Sequence, residues 1–446
     1  MAAAEQARPV ARACDRPSGY LRAVRRYAIV GTGARSGMFV AALADPARVV
    51  ELVALCDVNE TRMRHHARRL REATGGAVAL YPAERFDAMV AETRPDTVIV
   101  ASIDRTHDEY IVRAMELGCD VITEKPIAID AERCARIVRA VGDTGRDLRV
   151  AFNYRYAPVN AKVKEVIAGG AIGEVLSIHF EWLLDTRHGA DYFRRWHRDK
   201  ANSGGLMVHK ATHHLDLVNW WIGSWPDTVF AMGDLRFYGR ENARRRGIAD
   251  PDRDDPFALD LAADPLLKAL YLDAVHEDGY RRDQSVFGEG ISIEDTMAAL
   301  VHYRNGAVMS YALNAHCPRE GYRVAFNGSA GRLDVEVVER PHDAPGGADL
   351  VDPSLQDARE EARPVLTLQR HWERPQVVPV DGGEEGGHGG GDVRLLDDLL
   401  GGGGDDPLGR AAGHLDGARS LLAGAAANRS FATGQPVRLD DLLRLD

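Results

Sequence analysis

Tyr27-Ala28-Ile29-Val30 runs directly into Gly31-Thr32-Gly33-Ala34-Arg35-Ser36-Gly37 and then into Met38-Phe-Val-Ala-Ala-Leu43. A β-rich run, a glycine-rich turn and an apolar helical stretch follow one another without a spacer. Glycines let the backbone approach a pyrophosphate closely, and the free N–H groups at a helix start carry partial positive charge. Twenty residues after Gly37, Asp57 closes a second β-rich run, VVELVALCD. A carboxylate there accepts from a ribose 2′-hydroxyl and repels a 2′-phosphate, which favours NAD over NADP. The glycine pattern is not strict: Ser36 stands at the third glycine position and Gly37 follows it. Serine is small enough to keep the packing role. Arg35 reads equally as a phosphate contact and as a solvated surface residue.

The alternation continues outward. NETRMRHHARRLREAT reads as helix, PDTVIVAS as strand, HDEYIVRAMELG as helix with a glycine stop, DVITEKP as strand, AERCARIVRAVGDTG as helix and LRVAFNYRY as strand. Strands alternating with helices imply a parallel sheet covered on both faces. After residue 155 the rhythm changes. Pro158–Gly170 reads as a helix, EVLSIHFEWLL as a long strand and 206–222 as one helix. Three further long β stretches follow, with a hairpin turn at Asn305-Gly306. We therefore expect a disordered tail over 1–23, a dinucleotide-binding α/β domain over 24–155, and an α+β domain over 156–446 on a large, mainly antiparallel sheet. Within that second domain, 239–290 and 341–392 are loop-rich, and the last helix spans about 408–427.

Composition narrows the function classes. The 56 basic and 67 acidic residues give a net charge of −11, which argues against a uniformly basic nucleic-acid surface. No apolar run approaches the length of a membrane span. The N-terminus lacks the apolar core of a signal peptide. Five scattered cysteines, with no CxxC, fit reduced thiols in a cytoplasmic protein better than a disulfide framework or structural zinc.

Two clusters carry chemistry. Glu124-Lys125-Pro126 ends a predicted sheet strand, the edge where open α/β sheets bind ligands. An ammonium there polarises an alkoxide or carbonyl, and desolvation lowers its pKa toward acid/base use. The tripeptide by itself is common. The second cluster is Gly204-Gly-Leu-Met-Val-His209-Lys210-Ala-Thr-His213-His214-Leu-Asp216. On a helix His209 and His213 share a face, and Asp216 is placed to orient His213. A neutral histidine beside a hydroxyl is a general base. The same pair has metal-ligand spacing, but the glutamate of HExxH is missing, so no metal is expected. His214 faces differently. Farther on, His388 and Asp392 sit in GGHGGGD, which reads either as a flexible linker or as a close backbone approach to a ligand.

The order of glycine loop, Asp57, Glu124-Lys125-Pro126 and Gly204-Gly205…His213…Asp216 resembles the Gfo/Idh/MocA oxidoreductase family. The resemblance runs from about residue 25 to the C-terminus and is strongest over 25–225. It implies a Rossmann domain, an open-sheet second domain, a nicotinamide cofactor and a sugar, cyclitol or polyol substrate, in a homodimer or homotetramer. By it, Lys125 and His213 match the family's catalytic residues. Gly31, Thr32, Gly33, Ala34, Arg35, Ser36, Asp57, Ser102, His107, Glu124, Lys125 and Asn153 fall at the cofactor. Arg155, Tyr192, Trp196, His197, His209, Lys210, His213, His214, His388 and Asp392 fall at the substrate. One departure matters: many family dehydrogenases carry Asp four residues before the histidine, where this chain has His209. A short Gly-His-Gly-Gly-x-Asp run also occurs in the NAD-dependent glycosidase branch. The expectations are thus an NAD-dependent CH–OH dehydrogenase or, as the alternative, a redox-neutral glycoside hydrolase or lyase that recycles NAD internally. A non-catalytic NAD-binding regulator would lack the Lys125/His213 pair.

Overall fold

The computed structural model describes residues 24–342, 364–380, 390–401 and 404–445. The expected tail over 1–23, most of 341–392 and His388 lie outside them. The first sheet has six parallel strands in the order β3-β2-β1-β4-β5-β6: β1 (Arg25–Val30), β2 (Val50–Asp57), β3 (Ala79–Pro82), β4 (Thr97–Val100), β5 (Asp120–Thr123) and β6 (Leu148–Val150). Strand order reverses between β1 and β4, and the crevice outside that switch point is where such sheets take ligands. Helices α1 (Ser36–Leu43), α2 (Glu60–Thr74), α3 (Phe86–Thr93), α4 (His107–Glu116) and α5 (Ala131–Thr144) cover it. The strands are near-continuous apolar runs because both faces are buried.

LRVAFNYRY is not one strand. β6 stops at Val150, and Asn153–Tyr156 form a 3₁₀ turn. The second sheet has nine strands, ordered β14-β13-β12-β11-β7-β10-β9-β8-β15. They are β7 (Val175–Asp185), β8 (Pro226–Asp234), β9 (Thr296–Tyr303), β10 (Val308–Cys317), β11 (Glu320–Gly328), β12 (Gly331–Arg340), β13 (Val365–Arg370), β14 (Gln376–Val378) and β15 (Val437–Arg438). Among the described residues only β7 and β10 pair in parallel in this sheet. The Asn305-Gly306 hairpin joins β9 to β10, and Gly306 has the positive φ that the turn demands. One face of this sheet is open: Met232, Leu300, Val308 and Val365 are exposed along it.

The C-terminal segment returns to the first domain. Leu395, Leu396, Leu399 and Leu400, on the helix Gly391–Gly401, pack in one cluster with Phe39, Val40 and Leu43 of α1. Ala412 accepts a hydrogen bond from the N–H of Val150 at the edge of β6. The final helix, His414–Thr433, lies several residues beyond its expected position. Among the described residues, no helix is long and apolar enough to cross a membrane.

Candidate active site

The glycine loop follows β1 into the switch point. Gly31 has φ +87°, and a Cβ on it would stand 2.4 Å from the backbone N of Ser102 at the exit of β4, so the two strand ends meet only because residue 31 is glycine. Asp57 ends β2 under the loop. It accepts from the backbone N and the hydroxyl of Thr32 and from the N–H of Asn59. Ser36 donates to the carbonyl of Gly33 and lies against His66. Thr32 and Ser36 therefore shape the loop from beneath, whereas Gly31, Gly33, Ala34, Arg35 and Asp57 line the cavity beyond it. That cavity, of about 530 Å³, lies between the two domains.

Arg35 is not a solvated surface residue. It donates to Glu124 at 2.7 Å and to Asp392 at 3.1 Å. Asn153 donates to the same Asp392 at 2.7 Å. Asp392 thus joins Arg35 and Asn153 beside the glycine loop rather than lining the cavity itself. A Cβ on Gly391 would meet the carbonyl of Asn153 at 2.7 Å, so the close approach this glycine run permits is to the Asn153–Tyr156 turn. Ser102 and His107 line the cleft as expected. The ring of His107 spans from the carbonyl of Pro126 to that of Ser102, tying the exit of β5 to that of β4. The Lys125–Pro126 bond is cis.

Lys125 projects from the end of β5 toward the second domain. Its Nζ lies 3.4 Å from His209 Nε2, and His209 Nδ1 lies 2.5 Å from Asp104. The carboxylate missing four residues before His213 is supplied from another strand end, behind the imidazole that replaced it. Burial pushes Lys125 down to about 8, with Asp104 and Glu124 opposing the shift. Burial likewise raises Asp104 well above the carboxylate range, and Lys125 opposes it. Burial, then Lys125, drives His209 well below the usual histidine value, so its ring is neutral. Lys125, His209 and Asp104 are thus three titratable groups in one contact chain.

The helix expected over 206–222 is interrupted at Lys210, giving Leu206–His209 and Ala211–Ile222. His209, Lys210 and His213 all face the cavity. His213 stands edge-on to Tyr154 at 4.8 Å. Lys210 lies over the rings of Trp182 and Tyr154, and burial lowers its pKa. Three expectations fail here. Asp216 does not orient His213: both its oxygens accept from Arg155, at 2.7 and 2.6 Å. Arg155 does not line the cleft: it is buried between Asp216 and Asp416, because the 3₁₀ turn redirects it from the strand end. His214 does not line the cavity: its ring stacks on Trp182 at 3.8 Å and meets the Tyr311 hydroxyl at 2.6 Å, one residue's helical rotation away from the cleft.

After β7 the helix His188–Arg194 and the 3₁₀ turn Trp196–Arg198, read from sequence as a loop, bring Tyr192, Trp196 and His197 to the cavity. It also brings an unexpected array. The Tyr192 hydroxyl lies 2.9 Å from His188 Nε2, and His188 Nδ1 lies 2.5 Å from Glu320. Burial raises Glu320, with Lys210 and Arg340 opposing. Asp185 and Arg340 pair directly behind it. Two hydroxyl- or amine-to-imidazole-to-carboxylate chains therefore open into one cavity, one through Lys125 and one through Tyr192.

Residues 25–152 match the model of an oxidoreductase family NAD-binding Rossmann fold, and residues 164–439 match the C-terminal alpha/beta domain of the same family. The chain belongs to the Gfo/Idh/MocA oxidoreductase family. It is 36% identical to "Putative oxidoreductase YteT" of Bacillus subtilis (strain 168) over 419 residues, which is 89% of this chain and 92% of that protein. It is 25% identical to D-glucoside 3-dehydrogenase of Escherichia coli (strain K12) over 297 residues, 65% of this chain and 71% of that protein. A levoglucosan dehydrogenase solved with NADH and levoglucosan shares the fold at a TM-score of 0.64 and 18% identity, covering 93% of this chain and 99% of that one. The family's NAD-binding Rossmann domain coincides with the sheet whose glycine loop and Asp57 form the floor of the cleft.

Proposed function

We propose that this protein is an NAD-dependent oxidoreductase acting on a CH–OH group of a sugar, cyclitol or related polyol. The observation that carries the reading is the convergence of Lys125, His209 and His213 in one cavity with the glycine loop and Asp57. Bound nicotinamide would supply the hydride acceptor. His213 takes the proton of the substrate hydroxyl. The Lys125 ammonium stabilises the charge that develops on that oxygen, and His209, backed by Asp104, accepts from that ammonium and holds it in place. Trp196 and Tyr192 offer flat apolar faces to a sugar ring, and Lys210 and His197 offer polar groups around it. NAD is preferred over NADP because the Asp57 carboxylate lines the cavity beside the glycine loop, and Arg62, a cation of the same lining, is held by Asp278 at 2.7 Å. The test is a polyol and glycoside screen followed at 340 nm, with Lys125→Ala and His213→Ala as controls. Activity on such substrates that survives both substitutions would contradict the assignment.

One observation favours the second reading, redox-neutral glycoside cleavage. A simple dehydrogenation needs one proton relay, and this cleft has two. In that reading Tyr192, backed by His188 and Glu320, exchanges the additional protons of elimination and water addition. Glycoside consumption without net NADH is its signature. We also read the open face of the second sheet as the contact with a second copy of the chain. A groove of about 810 Å³ there, lined by residues such as Phe230, Met232, Leu300 and Val365, exposes more apolar surface than scattered single residues would. Light scattering of the purified protein would show at least a dimer, and a charged residue in place of Leu300 would split it.

A further inference from the structure

Between β8 and β9 the chain leaves the second sheet and lies down on the first domain. Leu259, Leu261, Leu267, Leu270 and Tyr271 bury themselves in one apolar cluster with Ala34 of the glycine loop. The N–H of Ala34 donates to the Tyr271 hydroxyl at 2.9 Å. Asn59, next to the end of β2, donates to the carbonyl of Ala274 at 2.9 Å. The Glu277 carboxylate caps the first turn of α2, accepting from the N–H groups of Glu60 and Thr61. Arg62 donates to Asp278 at 2.7 Å and to the carbonyl of Leu270 at 2.9 Å, under the rings of Tyr271 and Tyr280. At the far end, buried Arg282 reaches Asp191 on the helix His188–Arg194 at 3.3 Å. Tyr271, Asp278 and Tyr280 line the same cavity as Gly33, Asp57 and Lys125.

The loop N–H of Ala34 is the kind of donor that a glycine-rich turn offers to a diphosphate. Here a neutral hydroxyl from the other domain stands on it. A phenol that accepts from an N–H keeps its own proton to donate, and a phosphate oxygen is the acceptor such a cradle is built to receive. We propose that residues 259–283 form the outer wall of the dinucleotide site. Tyr271 is a diphosphate ligand delivered by the second domain, and the Arg62–Asp278 pair fastens the wall, so that bound cofactor exchanges slowly with solution. The proposal rests on the NAD reading above.

The test is the dissociation rate of NADH from the full-length protein, followed by fluorescence on displacement with excess NAD. Tyr271→Phe should release NADH about three- to tenfold faster, the worth of one hydrogen bond. Asp278→Ala, which frees a charge-assisted pair, should release it about tenfold faster or more. Rates within about twofold of wild type in both variants would overturn the wall while leaving the NAD reading intact. A wild-type protein that binds no NADH would overturn that reading, and the wall with it. A second measurement does not depend on the variants folding. Tryptic cleavage of wild type after Lys268 and Arg281, whose side chains are exposed while Leu267 and Arg282 beside them are buried, should slow at least fivefold with NAD or with ADP-ribose. It should not slow with nicotinamide mononucleotide. Cleavage unaffected by ADP-ribose would overturn the proposal.

Discussion

The two walls of the cleft are assembled by different rules. On the first-domain wall, Gly31, Asp57, Ser102, Glu124 and Lys125 each stand at or just past the C-terminal end of a parallel strand. Their convergence follows from strand order alone. On the facing wall, cooperating residues are far apart in the chain: His188 and Glu320 by 132 positions, His209 and Asp104 by 105, Tyr271 and Ala34 by 237. One wall is written in local motifs and the other in tertiary pairing. In the proposed reading the first wall fixes what binds, and the pairings across to the second shift the protonation of the side chains that meet it.

Breaking the joint between the walls should have the largest effect. Asp216→Ala leaves Arg155 buried with only Asp416 opposite it, and should lower unfolding stability by about 3–5 kcal/mol in urea titration. Removing the first wall's cation comes next. Lys125→Ala should cut kcat by about 10²–10³-fold, with NAD binding retained, as loss of one group aimed at developing charge does. Asp104→Asn should cost about tenfold in kcat by disabling the imidazole behind Lys125. It also predicts a direction in the pH profile. Lys125 titrates near 8, so turnover that needs its ammonium falls as pH rises through that value. Asp104 raises the Lys125 pKa, so its loss moves that limb to lower pH. A wild-type rate that instead climbs through pH 8 would make Lys125 the base. The smallest effect sharpens the choice of reaction: Tyr192→Phe should lower simple dehydrogenation by less than about tenfold, but should abolish glycoside cleavage if the second relay carries its protons.

The legibility of the molecule divides along the same line. The YAIV-GTGARSG stretch, Asp57 and the strand-end Lys125 could be read because a parallel sheet turns sequence order into spatial order. Tyr192, Trp196, His197 and His209 could be grouped because they lie in one segment, and the structure brings them into one cavity. Asp216 was misread because helical spacing says which face residues share but not who else reaches that face, and Arg155 arrives from a 3₁₀ turn that reads as strand. His214 went astray for the complementary reason: its facing direction was legible, but the stacking partner Trp182 on β7 was not. His188 and Glu320 carry no local motif. The segment around Tyr271 reads as charged, breaker-rich loop, and the only sequence signal was its run of leucines and tyrosines from Leu259 to Tyr280.

The most direct test of the central claim is to denature the purified protein and assay the released nucleotide, then titrate any empty fraction with NAD and with NADP. The proposed function predicts NAD or NADH approaching one per chain, or saturable binding of NAD well ahead of NADP. A protein that carries no dinucleotide and binds neither would contradict the assignment of the cleft.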